Sequence, residues 1–218
     1  LYDARNHYGA AVGDDDVYKE VWDPMVRMAD ATMPVLWFSW PDEPHFPMDS
    51  IAYSYHGTTG PRMPVIVPGM GHIYPWDRQE SYDFADSVVD TGSPWCEQQS
   101  ISLVGSTATV VFNSTKDLNS ASLIYATEND AITTDISTNM DWTETALSAP
   151  VEAPAGTWTV TATLPGDTTA WLINAKATGS DVGDVYGYDD ADVTVSSDYQ
   201  EKIAVSLSPA GTLSINHP

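Results

Sequence analysis

The chain has 218 residues, 42% of them hydrophobic, including 8 Trp and 11 Tyr, so it can bury a packed core and does not have a disordered composition. Its 31 acidic residues against 8 basic ones give a formal net charge of -23, which excludes nucleic acid and anionic membrane surfaces as partners. The single cysteine, Cys96, excludes an intrachain disulfide framework, and no apolar run reaches the roughly 18 residues of a membrane span.

The acidic composition is typical of an exported or salt-adapted surface, so we expect a secreted, extracellular or periplasmic protein. An ordinary acidic protein is the alternative. The chain begins at Leu1 rather than Met and shows no signal peptide, from which we expect a processed protein or a fragment.

Patterns over residues 1–95 alternate between helix and strand. The predicted elements are one or two helical turns in 16–30, a strand in 33–40, a helix in 49–57, a strand in 62–68 and a helix in 77–90 that stops at Gly92. The strand in 33–40 is a short unbroken apolar run bounded by prolines, as in strands buried on both faces, and the strand in 62–68 is predicted to be a second buried strand. The order predicts a parallel α/β domain over 1–95.

The character changes over residues 96–218, where Thr, Ser, Ala and Val dominate. Short runs with period-two alternation are separated by turn residues, as in TATVVFNS (107–114), TWTVTATLPG (157–166) and TAWLINAKA (169–177). Turns every 8 to 12 residues predict an antiparallel β-sandwich, with TGSPW (91–95) as the domain junction.

Two residues with acid–base chemistry follow the predicted parallel strands. Asp42 comes just after the first strand in a proline-rich loop, and His72 follows the second strand in VPGMGH (67–72), where two glycines precede it. Reacting groups gather at the carboxyl ends of parallel strands, and adjacent strands would bring these loops together. An Asp that orients a His is the acid–base part of a nucleophile–His–acid triad, so Asp42 and His72 are the predicted catalytic residues.

Other residues compete for these roles. A histidine after a glycine turn is often only a loop residue. His45 and His56 are rival bases, although neither follows a buried strand so closely. Glu43 could replace Asp42 as the acid, and Asp49 resembles the cap of the following helix.

Aromatic residues flank the predicted site. Trp40, Tyr74 and Trp76 could stack on a sugar ring or an aromatic ester and are the predicted substrate-binding residues, although core packing explains most tryptophans. The acidic runs 13–16 and 181–193 could hold Ca²⁺, but neither fits the EF-hand spacing and composition alone explains them. We expect no metal and no organic cofactor.

The segments MPVLWFSWPDEPHFPMDSIAYSY (33–55) and GPRMPVIVPGMGHIYPWDRQESYDFADSVV (60–89) resemble the carboxyl-terminal half of α/β-hydrolases. The group they are most similar to is that of dienelactone hydrolases and acetyl xylan esterases. The resemblance implies that Asp42 is the acid and His72 the base, and that a β-sandwich follows the catalytic domain. It also implies an ester substrate, with an acetylated polysaccharide as one example.

One departure from the family pattern is decisive. Such hydrolases place the nucleophilic serine in a G-x-S-x-G motif before the acid, and this motif occurs nowhere in the 218 residues. Two buried strands with their helices cannot form a stable parallel sheet alone. We therefore expect a companion amino-terminal chain or segment that carries the nucleophile.

The sequence thus predicts the acid- and base-bearing part of a secreted serine hydrolase that cleaves an ester. The predicted fold class is the carboxyl-terminal part of an α/β-hydrolase parallel sheet followed by an all-β antiparallel sandwich. Two alternatives stay open: a catalytically inactive protein for surface assembly or glycan binding, and a serine peptidase of the same fold.

Overall fold

The computed structural model of the protein describes residues 25–43, 48–71, 78–127, 141–180 and 192–201. Within them lie three helices, which are α1 (Met25–Met28), α2 (Met48–His56) and α3 (Gln79–Thr91). The strands are β1 (Val35–Ser39), β2 (Arg62–Ile66), β3 (Cys96–Val104), β4 (Thr107–Ser114), β5 (Leu118–Thr127), β6 (Thr143–Ala146), β7 (Val151–Glu152), β8 (Thr157–Thr163), β9 (Thr168–Thr178), β10 (Asp192–Ser196) and β11 (Gln200–Glu201).

Strands β1 and β2 form the parallel pair that the sequence predicts. Val35 pairs with Arg62 and Ser39 with Ile66, so the carboxyl ends of both strands reach the same edge. We call it the carboxyl edge. Because Val67 N–H donates to Ser39 C=O, the backbone nitrogens of the alternate β2 residues Pro64 and Ile66 face away from β1. Proline lacks an N–H group, so Pro64 fits where its nitrogen does not face a neighbouring strand, as on an edge strand of a sheet.

The remaining strands form two antiparallel sheets. One has the order β3-β4-β8-β7, and the other has the order β10-β9-β5-β6 with β11 also paired to β9. Inward residues of both sheets meet in a large apolar cluster, the first cluster, which includes Val110, Phe112, Trp171 and Ile173. A β-rich fold with this packing is consistent with the predicted β-sandwich.

The sequence of strand β9 is almost continuously apolar because both of its faces are buried. Its residues Trp171 and Ile173 face the first cluster, whereas Ala170 and Leu172 face a second cluster on the opposite side of the sheet. Helix α2 covers that side and contributes Met48 and other apolar residues. The middle of the sheet is therefore buried on both faces, between the other sheet and α2, whereas β6 at its edge is exposed.

The parallel pair shares these cores. Met63 and Val65 of β2 belong to the first cluster, and Ile66 belongs to the second. The division into domains 1–95 and 96–218 stays a prediction, and residues from both sides of it pack in each cluster. Strand β2 is buried, while most of β1 is only half-buried.

The predicted fold class is wrong. The parallel part comprises one pair of strands, and the described residues contain no further parallel strand, so this is not the parallel sheet of an α/β-hydrolase. The two apolar runs do form strands, as the sequence predicts. They are buried, however, against an antiparallel sandwich, and periodicity alone does not distinguish these two environments.

The predicted bounds of the two longer helices agree closely with the structure. Helix α2 spans Met48–His56, one residue from each predicted bound of 49–57. Helix α3 spans Gln79–Thr91, where the prediction is 77–90. Gly92 ends α3 with a φ of 80° and donates its N–H to Val88 C=O, as the sequence predicts. None of the described helices is long and apolar enough to cross a membrane.

Candidate functional site

Asp42 lies in a turn three residues beyond the end of β1, at the carboxyl edge. Its side chain is exposed, but neighbouring protein atoms remove part of its hydration. This desolvation and, second, the negative charge of Asp141 raise the pKa of Asp42 above its ordinary value. Two neighbouring carboxylates favour a cationic group beside them.

The neighbours of Asp42 are buried. Trp40 is 8% exposed and Glu43 is 6% exposed, and Glu43 N–H donates to Trp40 C=O across the turn. Glu43 makes an interaction of its own and is less accessible to a substrate than Asp42. Of the two adjacent acids, Asp42 is therefore the one that faces solvent.

The turn after β2 requires its glycines. Gly69 and Gly71 have φ angles of 71° and 73°, a left-handed conformation that other residues adopt at a cost. A Cβ atom at either position would meet no atom within 4 Å, so the requirement comes from the backbone and not from space. Met70 N–H donates to Val67 C=O within this turn. The glycine-hinged turn that the sequence indicates before His72 is thus present.

Three predicted site residues, His72, Tyr74 and Trp76, lie outside the described residues, as does His45. The structure confirms that β1 and β2 are adjacent and parallel, which is the condition for their following loops to meet. The contact between Asp42 and His72 stays a prediction. The acidic runs 13–16 and 181–191 also lie outside the described part, which contains no group of three or more His, Cys, Asp or Glu suited to a metal ion.

A second polar cluster, not predicted from the sequence, surrounds Asp198. One of its carboxylate oxygens lies 3.3 Å from His56 Nε2, 3.4 Å from an Arg62 guanidinium nitrogen and 3.1 Å from Gln98 Nε2. Gln98 also accepts the Asp198 N–H at 2.8 Å, and the adjacent Tyr199 N–H donates to the Tyr55 hydroxyl. The cluster joins α2, β2 and β3 to the segment that follows β10.

The electrostatics of Asp198 favour its ionised form. Burial alone raises its pKa, but the His56 hydrogen bond, the charges of Arg62 and His56 and the Gln98 hydrogen bond together outweigh burial, so the pKa is lowered. His56 is 44% exposed and has the aspartate partner of a catalytic base. However, the same carboxylate is already paired with Arg62, and Arg62 begins β2, at the opposite end of the pair from Asp42. We interpret this cluster as a structural clamp.

Sequence reasoning missed the clamp because its members are far apart in the chain. His56 and Asp198 are separated by more than a hundred residues, and Gln98 is an unremarkable strand residue. The one local signal is the polar run SSDYQ (196–200) after an apolar strand. This run leaves the alternating pattern and places Ser196, Ser197 and Asp198 in buried positions.

Helix α3 is attached to the sandwich by charged groups. Glu80 receives two hydrogen bonds from Arg78 at 3.1 Å and one from Thr194 N–H at 3.3 Å. Asp83, whose side chain is fully buried, lies 3.0 Å from Lys116 Nζ and accepts the Ser180 N–H at 3.0 Å. The helix therefore directs acidic side chains inward, where each has a basic partner.

Comparisons of the chain with protein-family models, with curated proteins and with solved structures found no match.

Proposed function

We propose that this chain carries the acid and the base of an enzyme that hydrolyses esters, with Asp42 as the acid and His72 as the base. The observation that carries the proposal is the parallel pairing of β1 and β2 up to Ser39 and Ile66. The loops that lead to Asp42 and to the glycine turn begin side by side at one edge. That placement is the usual location of reacting groups in parallel strands.

The chemistry follows from the two residue types. His72 takes the proton of a nucleophilic hydroxyl and later returns it to the leaving alcohol, while Asp42 orients the imidazole and stabilises the imidazolium. Asp141 adds a second negative charge near Asp42, and the net charge of -23 extends this field. Such a field favours the imidazolium that forms in the transition state.

The nucleophile comes from a companion segment in this proposal, since no G-x-S-x-G motif occurs in the chain. Strand β1 supports a companion, because within the described residues it pairs only with β2. Its apolar residues Leu36, Trp37 and Phe38 are only half-buried, and Met33 just before it is 65% exposed.

The proposed substrate is an uncharged or weakly charged ester, because the acidic field disfavours anions. An acetylated polysaccharide fits this description, and the proposed location is outside the cytoplasm. Trp40 is buried, so its role is to support the loop, whereas Tyr74 and Trp76 remain the proposed contacts for substrate.

A fluorophosphonate probe tests this function. The natural assembly is purified through a tag on this chain, labelled with the probe, and separated by intact mass. We expect a companion of at least ~100 residues to be labelled, and His72→Ala to abolish the labelling. His56→Ala is the matched control and retains it. Absence of labelling in the wild-type assembly, or full labelling of His72→Ala, contradicts the proposal.

A binding role for the sandwich is the second candidate, supported by the outer face of the sheet β3-β4-β8-β7. The strand registers place almost only uncharged residues on this face, and Glu97 is the single charged residue among the strand residues that form it. The face comprises Glu97, Ser100, Ser102, Val104, Thr107, Thr109, Val111, Asn113, Val151, Thr157, Thr159, Thr161 and Thr163. In a chain of charge -23, a surface this poor in charge suits a neutral partner such as a glycan or another subunit.

Thr159→Glu and Thr109→Glu, together, test the second candidate by introducing two charges at the centre of this face. We expect the double variant to release a bound glycan or subunit in pull-down and sedimentation experiments, while probe labelling is unchanged. The exposed substitution Asp86→Asn on α3 serves as a charge-change control. Equal binding by the double variant and the wild type excludes this face as the binding surface.

A further inference from the structure

The last residue of β2 is bonded to the sandwich through side chains and not through a neighbouring strand. Ile66 N–H donates to Ser196 Oγ at 2.7 Å, and Asn174 Nδ2 donates to Ile66 C=O at 2.8 Å. Ser196 Oγ in turn donates to Asn174 Oδ1 at 2.6 Å. The three hydrogen bonds close a ring around one residue, which we call the Ser196–Asn174 ring.

Each polar atom of the ring has one consistent role. Ile66 C=O can only accept, so the Asn174 nitrogen must face it and the amide oxygen must face Ser196. Ser196 Oγ accepts from Ile66, which leaves its hydrogen for that oxygen. Ser196 is 0% exposed, while Asn174 and Ile66 are each 1% exposed, so water does not compete for these bonds.

The ring lies where a further strand of the sheet would pair with β2. The N–H and C=O of Ile66 face away from β1, and buried backbone groups need partners. Ser196 and Asn174 supply them from β10 and β9 and thereby fix the end of β2 from which the Gly69–Gly71 turn begins. Glycine adopts many backbone conformations, so the two glycines of the turn do not by themselves fix its direction. The hydrogen bonds to Ile66 fix the point at which the turn leaves β2.

We propose that Ser196 and Asn174 are positioning residues that fix the carboxyl end of β2 for acid–base catalysis, so that the sandwich is part of the catalytic scaffold. The proposal rests on the function proposed above, in which His72 follows this strand. The Asp198 clamp holds the opposite end of β2 and shares no residue with the Ser196–Asn174 ring.

Ser197 provides a matched control for Ser196. Both serines are 0% exposed and adjacent in the chain, but Ser197 Oγ accepts the Ile173 N–H at 2.9 Å inside the sandwich. Removing either hydroxyl leaves one buried backbone N–H without its acceptor. Ser197 Oγ also donates to Asp198 C=O at 3.2 Å. The two variants therefore impose comparable disturbances, and only Ser196→Ala removes a direct hydrogen bond to β2.

The first measurement is amide hydrogen exchange in the full chain. We expect Ser196→Ala to accelerate exchange at Ile66 about tenfold relative to Ser197→Ala, the factor expected for one lost hydrogen bond. Ser197→Ala shows the converse, with faster exchange at Ile173. Equal protection of Ile66 in the two variants contradicts a role of the ring in holding β2.

The second measurement is the rate of fluorophosphonate labelling in the tagged natural assembly. Ser196→Ala slows labelling about tenfold, Ser197→Ala leaves it within about twofold, and Ser196→Thr, which retains the hydroxyl, restores most of it. If Ser196→Ala does not fold, Ser196→Cys replaces it with the same expected order. Equal rates for the Ser196 and Ser197 variants, with labelling abolished in His72→Ala, overturn the positioning role alone. Labelling retained in His72→Ala overturns the proposed function itself.

Discussion

Asp198 shows how a few side chains join distant parts of this chain. Its carboxylate contacts His56 of α2, Arg62 of β2 and Gln98 of β3, and its side chain is only 12% exposed. A buried carboxylate loses hydration, and these donors offset that loss. Removal of the negative charge would leave the two basic side chains without their shared partner.

The clamp makes stability depend on pH. The pKa of Asp198 in the folded state lies below the ordinary value of 3.8, so the unfolded chain binds the proton at a higher pH. The stabilisation is complete above that ordinary value and is lost as pH falls through the folded pKa. We expect Asp198→Asn to lower the free energy of unfolding by about 2 kcal/mol at neutral pH, and the difference to shrink in acid.

Urea unfolding between about pH 7 and about pH 3 measures this difference. The exposed substitution Asp86→Asn is the control and should change the free energy of unfolding by less than about 0.5 kcal/mol. A deficit of Asp198→Asn that stays constant over the whole range would show that ionisation of Asp198 is not its cause.

Individual residues were predicted from the sequence only where local pattern identifies them. Asp42 and the glycines before His72 stand out because they follow apolar runs, and the structure places Asp42 at the carboxyl edge. The partners of Asp198 and of Ile66 are a hundred or more residues away in the chain. Contacts of that kind depend on the fold and leave no local signal.

Helix α3 buries acidic side chains and exposes apolar ones, the reverse of the usual arrangement in an amphipathic helix. Its acidic residues Glu80 and Asp83 are buried, whereas Tyr82 is 40% exposed and Val89 is 84% exposed. The apolar residues of the segment indicate a helix by their spacing, but they do not identify its buried face. The reason is that Arg78 and Lys116 pair with the acidic residues, and neither pairing follows from periodicity.

The attachment of α3 yields a second test. Asp83→Asn removes the fully buried carboxylate that pairs with Lys116, whose side chain is 23% exposed and keeps only its hydrogen bond to the Ser180 hydroxyl. We therefore expect a loss of about 2 kcal/mol in the free energy of unfolding. Asp86→Asn changes the same charge on the exposed side of the same helix and should have little effect. Thermal and urea unfolding compare them, and similar values for the two variants would show that the Lys116 contact contributes little.

Whole-molecule architecture was the least predictable level. The sequence indicates most helices and strands, yet the residues that the structure describes do not form the parallel sheet expected from the family resemblance. Short apolar strands are compatible with several neighbours, and the choice between them is made by long-range packing. Here Met63 and Val65 pack into the sandwich core, and α2 covers the face of the sheet β10-β9-β5-β6 that points away from that core.

Shared packing predicts cooperative behaviour of the parallel pair and the sandwich. Val65 is 0% exposed and lies in the same cluster as Val110 of β4. We expect Val65→Ala to reduce stability by about 2 kcal/mol and to accelerate amide exchange in β4 as much as in β2. Val89→Ala, at an exposed position, is the matched control. Acceleration confined to β2 would instead support independent domains divided near residue 95.

The kcat of ester hydrolysis by the tagged natural assembly, compared between variants of the two adjacent acids, shows which of them acts with His72. Asp42 is exposed at the carboxyl edge, whereas Glu43 is buried, so only Asp42 should orient His72. We predict that Asp42→Asn lowers kcat by about 10³–10⁴-fold, as loss of the acid does in serine-protease triads, and that Glu43→Gln retains most of it. An Asp42→Asn variant with wild-type kcat would contradict the assignment of the acid–base pair.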